Sequence, residues 1–316
     1  MNILKKKATQ LLLSLALIPL LLPGYTAKAA NQETIFTYGE SLTQPQLKET
    51  ERLLNVPEKA KALPVYIKEL NGLLQDTYPY SQVYSSTLIT PTSNKGKVTV
   101  EILTPKTITA ITPLQYENAA LTAGATNVNI KVASAVEVDG SGALAGVYKA
   151  FQDSGKALNK EAVIVAQDEL RTASNITKDN KNKPGYSDEA LNAAIADMKT
   201  QIQQTKAKNG GSIDGNTIQL IVNNVINNYH LDQQLSPENI QQLQNLMHRF
   251  SQIELTEEQK KAISHFGKTL ADKSGKLVDS AKSAWNNMDA KDKEGIMNFF
   301  RELWVSFKNL INSFLK

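Results

Sequence analysis

The residues whose spacing most suggests chemistry are Gly140, Ser141 and Gly142, which a further glycine follows at Gly146. They come after a predicted strand and open a predicted helix, which is the setting of a phosphate-binding glycine loop. The spacing is GxGxxxG rather than GxGxxG, and Asp139 or Ser141 can instead cap the helix while the small residues allow close packing. The helix cap is the favoured interpretation, and Gly140, Ser141 and Gly142 are kept as candidate binding residues.

Carboxylates are the second candidate chemistry, because two of them can act as acid and base on a glycosidic bond. The acidic residues of the amino-terminal half include Glu40, Glu101, Glu117 and Asp139. Nothing in their spacing selects two of them. A carboxylate-dependent hydrolase is therefore an alternative rather than the leading interpretation.

Histidine and cysteine usage narrows the remaining chemistry. The chain has no cysteine, which excludes disulfides, thiolate metal ligands and a cysteine nucleophile. The three histidines, His230, His248 and His265, lie about one helix apart and lack the spacing of an H-E-x-x-H metal site. We interpret them as surface or boundary residues and predict neither a metal site nor a cofactor.

The amino terminus has the pattern of a secretory signal peptide. Lys5–Lys7 form a positive region, residues 11–22 are apolar, and Ala27–Ala29 match an A-x-A cleavage site. A retained membrane anchor is the alternative, but the apolar stretch is shorter than the roughly 20 residues that span a bilayer. We predict export, cleavage after Ala29, an extracellular location and no transmembrane span in the mature chain.

Removal of the signal peptide changes the charge balance. The whole chain carries 35 basic and 31 acidic residues, a formal net charge of +4. Four basic residues, Lys5–Lys7 and Lys28, fall in the signal peptide and no acidic residue does, so the mature chain has 31 of each sign. This balance argues against nucleic-acid binding, which needs a surplus of basic side chains on one face.

Strand patterns are confined to the amino-terminal half. Residues 33–38 and 83–89 are rich in β-forming side chains, and residues 98–102 and 128–132 alternate between apolar and polar. Turn-forming residues at 94–96 predict that the second and third of these strands form a hairpin.

Helices are predicted between these strands. Thr43 with Gln46, and Thr112 with Gln115, are capping boxes at the start of two helices. The apolar stretch 63–74 is also predicted to be helical. The expected fold class is α+β, with an amino-terminal mixed sheet and packed helices followed by an all-helical carboxy-terminal half.

A polar stretch at residues 178–185 is the best candidate linker, and beyond it only helical periodicity is found. The predicted domains are a signal peptide at residues 1–29, an α+β domain at residues 30–178 and a helical domain at residues 179–316.

The most apolar helical face lies at the carboxy terminus and includes Phe300, Trp304 and Phe307. We favour the interior of a helical bundle for this face, so that deletion of residues 291–316 would destabilise the protein. The alternatives are a surface for a partner or a second copy of the chain, and peripheral contact with a membrane. On these alternatives, the candidate binding residues are Phe300, Trp304 and Phe307.

Six short segments together give a family resemblance. They are residues 38–43, 84–86, 108–112, 119–124, 132–134 and 140–150. As a set they resemble the YpuA-like family of secreted Gram-positive proteins of unknown function, over roughly residues 33–175. The resemblance implies an extracytoplasmic location and assigns no catalytic residue.

Two function classes are predicted. The first is a non-enzymatic envelope-associated protein that binds a cell-envelope component, or a second copy of itself through the carboxy-terminal helix. The second is a secreted carboxylate-dependent hydrolase acting on envelope glycans. Because the sequence contains no recognisable catalytic constellation, the first class is favoured.

Overall fold

The structure is a computed structural model that describes residues 33–74, 79–156 and 159–286, with side chains described as far as Ala271. The strands are β1 Ile35–Gly39, β2 Lys61–Val65, β3 Ser86–Pro91, β4 Val98–Ile102 and β5 Val128–Ala133. The helices among them are α1 Gln44–Leu54, α2 Ile67–Leu73, α3 Pro113–Ala123 and α4 Ala143–Asp153. The helices that follow are α5 Lys160–Asn180, α6 Asp188–Lys208, α7 Gly215–Asn228, α8 Pro237–Gln252 and α9 Glu257–Asn286.

The strands form a five-stranded mixed sheet in the order β2-β1-β3-β5-β4. Strand β3 is antiparallel to both of its neighbours, whereas β1 with β2 and β4 with β5 pair in parallel. The predicted α+β class, with a mixed sheet in the amino-terminal half and helices beyond it, is confirmed.

The predicted hairpin is wrong, because β5 lies between β3 and β4. Strands β4 and β5 are joined through α3 and pair in parallel, as strands linked by a crossover helix commonly do. The turn at residues 94–96 leads the chain past the position beside β3, which β5 then fills, so that β4 lies at the edge of the sheet.

The prediction that residues 63–74 are helical is wrong at its start. Lys61–Val65 form strand β2, and the helix begins only at Ile67. Pro64 is compatible with β2 because β2 is an edge strand. At an edge, a residue whose nitrogen points away from the sheet needs no hydrogen-bond donor.

Side chains that alternate along the strands reach two separate apolar layers. Phe36 of β1 and Leu88 of β3 pack with Leu54 of α1 on one face of the sheet. Their neighbours Ile35 and Ile89 belong to the main core on the other face, together with residues of α3, α4 and α5. The sheet is thus covered by α1 on one side and by the other helices on the opposite side.

The main apolar core continues from the sheet into the helical half. It includes Ile130 of β5, Leu170 of α5, Ile195 of α6 and Phe250 of α8. Helix α5 extends to Asn180, so the expected boundary at residue 178 falls within its last turn. The division into two domains stays a prediction.

An ion pair is buried between helices of this core. Lys199 of α6 is fully buried, and its Nζ lies 2.8 Å from Oε1 of Glu169 on α5. The same Nζ donates to Oδ1 of Asn118 at 2.5 Å and to Oγ1 of Thr122 at 2.9 Å, and both acceptors are on α3. Burial lowers the pKa of Lys199, and the nearby carboxylate of Glu169 opposes this shift. One cluster of polar groups therefore ties three helices together.

A second polar cluster joins the starts of α3 and α6 to the end of α5. The carboxylate of Asp188 accepts hydrogen bonds from Thr112 at 2.7 Å, Thr177 at 2.9 Å and Gln115 at 3.1 Å. Burial raises the pKa of Asp188 above its usual 3.8, although these hydrogen bonds act in the opposite direction.

We expect this group to make stability depend on pH. The folded chain holds the Asp188 proton to a higher pH than the unfolded chain does. The contribution of this group to stability is therefore fully present below pH 3.8, and it is lost as the pH rises through the raised pKa of the folded state. Urea unfolding of the protein and of an Asp188→Asn variant at a series of pH values tests this. The difference in free energy of unfolding should change across that window, and a constant difference would contradict the expectation.

The carboxy-terminal candidates Phe300, Trp304 and Phe307, and the segment 291–316, lie outside the described residues. Among the residues that the structure does describe, no helix combines the length and the apolar character needed to cross a bilayer. The role of the carboxy-terminal face therefore stays a prediction.

Candidate functional site

A cleft of about 770 Å³ lies against the loop that contains Gly140, Ser141 and Gly142. Four stretches of chain line it: residues 79–85 before β3, Ile111 before α3, residues 137–139 and 141–142 after β5, and one face of α5. The lining side chains that can bind a ligand are Tyr80, Tyr84, Glu137, Asp139, Arg171 and Asn175. Of the sequence-predicted binding residues, Ser141 and Gly142 line the cleft directly.

The topology of the sheet explains the position of the cleft. Ser86 at the start of β3 is paired with Ala133 at the end of β5. The stretch before β3 and the stretch after β5 therefore leave the sheet at the same end of the strands. The carboxyl ends of β1, β2, β4 and β5 all lie at this end of the sheet. Crevices outside the carboxyl ends of strands are common ligand sites in α/β sheets.

The stretch before β3 is held close to the end of β1. The N–H of Val83 donates to Oγ of Ser41 at 2.9 Å, and the N–H of Ser41 donates to the carbonyl oxygen of Val83 at 3.1 Å. A Cβ atom at Gly39 would lie 1.9 Å from that carbonyl oxygen. Only glycine fits this approach, which fixes one wall of the cleft.

A directed chain of hydrogen bonds crosses the back of the cleft. Buried Gln167 of α5 donates through Nε2 to the hydroxyl of Tyr80 at 2.9 Å. Tyr80 donates in turn to Oγ of Ser141 at 2.9 Å, and Ser141 donates to the carboxylate of Asp139 at 3.0 Å. These hydrogen bonds connect three of the four stretches that line the cleft, and so hold them in position relative to one another without a ligand.

The backbone of Tyr80 and of Ser141, the two inner members of this hydrogen-bond chain, is also held. The side chain of Asn71 accepts from the N–H of Tyr80 at 2.7 Å and donates to its carbonyl oxygen at 2.9 Å. Oδ1 of Asp139 accepts from the N–H of Ser141 at 2.8 Å. Neither Asp139 nor Ser141 caps helix α4 through its side chain, so the expected helix cap is wrong. The N-cap residue is Gly142, and the side chain of Asp139 instead bonds to the backbone of Ser141, just before the helix.

Gly140 is required by the geometry of the loop. Its φ is +103°, and a Cβ atom there would lie 2.7 Å from both Ile108 Cγ2 and Tyr116 Oη. The hydroxyl of Tyr116 donates to the carbonyl oxygen of Gly140. Gly140 therefore shapes the loop from behind and does not itself line the cleft.

Tyr80 acts as a hydrogen-bond donor in this setting. Burial raises its pKa to about 12, an effect that the nearby carboxylate of Asp139 increases and that Ser141 and Arg171 reduce. The phenol stays protonated at neutral pH and is unsuited to act as a base. Its hydroxyl positions Ser141, and the residue lines the cleft.

The other carboxylates named from the sequence have structural partners away from the cleft. Glu40 accepts from the N–H of Ile67 at 2.9 Å at the start of α2. Glu117 accepts from the N–H of Val100 at 2.8 Å on the edge strand β4. Glu101 is opposite Lys131 in the pairing of β4 with β5. Asp139 is the one member of that set that lines the cleft.

All three histidines have exposed side chains. Within the described side chains, no group of three or more histidine, aspartate or glutamate residues is arranged to hold a metal ion. The polar side chains that line the cleft carry hydroxyl, amide, carboxylate and guanidinium groups.

Sequence reasoning missed Tyr80, Gln167 and Arg171. Gln167 and Tyr80 are 87 residues apart and meet only because α5 packs beside the loop that precedes β3. No local motif marks such residues. Gln167 is followed directly by Asp168 and Glu169, so its polar side chain does not stand out in the sequence of α5.

Comparisons with known proteins place these segments in a family. Residues 38–266 match the model of a family described as protein of unknown function (DUF1002), which includes every stretch that lines the cleft. The chain is 29% identical over 205 residues to "Uncharacterized protein YpuA" of Bacillus subtilis (strain 168). That match covers 63% of this chain and 66% of the relative, just under two thirds of its length. No solved structure matches the chain. The YpuA-like resemblance is confirmed, and the chain belongs to the DUF1002 family of proteins of unknown function.

Proposed function

We propose that this protein is an exported, envelope-associated binding protein whose cleft holds a saccharide with charged substituents. The observation that carries the proposal is the cleft of about 770 Å³ whose back wall is fixed by the chain from Gln167 through Tyr80 and Ser141 to Asp139. Its volume lies in the range of small-molecule sites, and such sites are usually formed in advance of binding. A rigid wall of this kind favours recognition because little ordering is needed on binding.

The groups around the cleft fit a hydrophilic ligand. Tyr80 and Tyr84 offer aromatic rings with a polar end, which suit a molecule that has both C–H faces and hydroxyl groups. Arg171 and Asn175 lie on α5, and Glu137 lies in the stretch after β5; all three residues are exposed. Planar charged and amide groups can form paired hydrogen bonds with hydroxyl, carboxylate and amino substituents.

The proposed location rests on the amino-terminal sequence. The positive region at Lys5–Lys7, the apolar stretch and the A-x-A site at Ala27–Ala29 support export. An exported protein of this kind meets the glycans of the cell envelope, which are polyhydroxylated and carry amino and carboxyl groups. The chemistry of the cleft and the proposed location therefore point to the same class of ligand.

Calorimetric titration of the mature chain with soluble peptidoglycan fragments tests this function. We expect binding by the unmodified chain, and at least about tenfold weaker binding by Arg171→Gln and by Glu137→Gln, since a hydrogen bond to a charged group contributes about 1.5–3 kcal/mol. Lys178→Gln on the same helix and Glu58→Gln on an exposed turn are matched controls outside the cleft lining. They should bind like the unmodified chain.

Two outcomes count against the proposal. Absence of heat on titration, with no shift in melting temperature on addition of the fragments, would reject this ligand class. Equal loss of affinity in the cleft variants and in the control variants would show that charge, rather than the cleft, governs the binding.

A hydrolase is the second candidate, and one observation favours it. Val138 is bridged in parallel to Ile108, so residues 137–139 are extended and the side chains of Glu137 and Asp139 project to the same side. Both residues line the cleft. The carboxylate of Asp139 already accepts from the N–H and the hydroxyl of Ser141, which leaves Glu137 as the carboxylate with the greater freedom to act.

Release of reducing ends from peptidoglycan fragments distinguishes the two functions. A binding protein releases none under conditions in which it is saturated with ligand. Release by the unmodified chain that is abolished in Glu137→Gln and retained in Glu58→Gln would replace the binding function with the hydrolase.

A further inference from the structure

The sequence contains two Asn-Gly pairs, Asn71-Gly72 and Asn209-Gly210. In such a pair the following residue has no Cβ atom, so its backbone nitrogen can approach the side-chain amide carbon of asparagine with little hindrance. The fold places the two pairs in very different settings. That contrast allows their chemical reactivity to be compared within one molecule.

Asn209 is exposed in the turn that joins α6 to α7. Neither its side-chain amide nor the N–H of Gly210 makes a hydrogen bond to any part of the chain that the structure describes. A Cβ atom placed at Gly210 or at Gly211 would meet nothing within 4 Å. The asparagine side chain and the attacking nitrogen are therefore both accessible and unhindered.

Asn71 is held on both sides of its amide. Its Nδ2 donates to the carbonyl oxygen of Tyr80 at 2.9 Å, and its Oδ1 accepts from the N–H of Tyr80 at 2.7 Å. Gly72 lies inside α2, where a backbone N–H points back to the preceding turn of the helix. Attack by Gly72 would require both hydrogen bonds and the local helix to open.

We propose that Asn209 is a site of spontaneous deamidation and that the fold protects Asn71 from the same reaction. The backbone nitrogen of Gly210 loses its proton and attacks Cγ of Asn209. A C–N bond forms, the bond to the side-chain nitrogen breaks, and ammonia leaves with a five-membered succinimide as product. Water then opens either carbonyl of the ring and gives aspartate or isoaspartate, so the reaction needs no oxidant, reductant or enzyme.

The product changes the end of helix α6. A carboxylate follows the last turn of the helix, where the helix dipole disfavours negative charge. The isoaspartate product also adds a methylene to the backbone within a turn that the bond from Gly211 N–H to the Lys206 carbonyl, 2.7 Å long, now closes. Deamidation therefore loosens the connection between α6 and α7 as the protein ages.

Incubation of the full chain at mildly alkaline pH, followed by proteolysis and mass spectrometry, tests this inference. We expect the mass change of amide-to-carboxyl exchange in the peptide with Asn209 to grow at least about tenfold faster than in the peptide with Asn71, because Asn71 reacts only from a locally opened state. In strong denaturant the two rates should converge. An Asn209→Asp variant supplies the standard for the aspartate product.

Two results of this measurement of the deamidation rates at Asn71 and Asn209 would overturn the inference. Equal rates at Asn71 and Asn209 in the folded chain would show that the fold gives Asn71 no protection. Conversion of Asn209 only after denaturation would show that the folded turn prevents the attack by Gly210.

Discussion

We expect a Lys199→Met substitution to lower the free energy of unfolding by about 3–5 kcal/mol, the usual cost of removing one partner from a buried ion pair. Lys199 and Glu169 are both essentially inaccessible to solvent, and their charged atoms are 2.8 Å apart. Without the ammonium group, Glu169 keeps only the hydrogen bond from Thr122, at 2.6 Å, among the polar contacts seen at its carboxylate. The buried carboxylate then loses its charged partner, and this loss is the source of the expected destabilisation.

A double variant, Lys199→Met with Glu169→Leu, separates the charge from the packing. Replacing both partners by apolar side chains of similar volume is often neutral or stabilising. We therefore expect the double variant to recover part of the loss. The remainder is the cost of leaving Oδ1 of Asn118 without its donor and the hydroxyl of Thr122 without its bonds to Lys199 and Glu169. Urea unfolding followed by circular dichroism measures both values. A double variant at least as unstable as the single one would show that the ion pair is not the cause.

Local signals predicted the elements of the fold better than their arrangement. The capping box of Thr112 with Gln115 depends on residues three apart, and the structure contains its hydrogen bond from Thr112 N–H to Gln115 at 3.1 Å. The neighbours of β3 depend instead on pairing with strands that are distant in the sequence, such as β5. The turn at residues 94–96 indicates only that the chain changes direction. It could not show that β5 lies between β3 and β4.

The candidate site divides in the same way. Ser141 and Gly142 belong to a recognisable small-residue loop, and the sequence placed them correctly beside a strand end and a helix start. Whether they line the cleft had to come from the structure, because other lining residues such as Tyr80 and Arg171 come from distant parts of the chain. The loop residue with the strongest steric requirement is Gly140, which faces away from the cleft.

The second large effect is expected at that residue. Gly140→Ala should lower the free energy of unfolding by about 2–4 kcal/mol, because it combines backbone strain with crowding in a packed interior. The φ of +103° lies outside the region that side-chain-bearing residues adopt, and the new methyl group would lie 2.7 Å from Ile108 and from Tyr116. Thermal and urea unfolding measure the loss.

Gly155 provides the matched control at the opposite end of α4. Its φ is +72°, and a Cβ atom there meets nothing within 4 Å. Gly155→Ala should therefore cost only the left-handed backbone conformation, about 1–2 kcal/mol. If Gly140→Ala destabilised the protein no more than Gly155→Ala, the crowding behind the loop would be relieved by movement of Ile108 and Tyr116. In that case the loop would be adjustable, and the cleft that it borders would not be held in a fixed shape before a ligand binds.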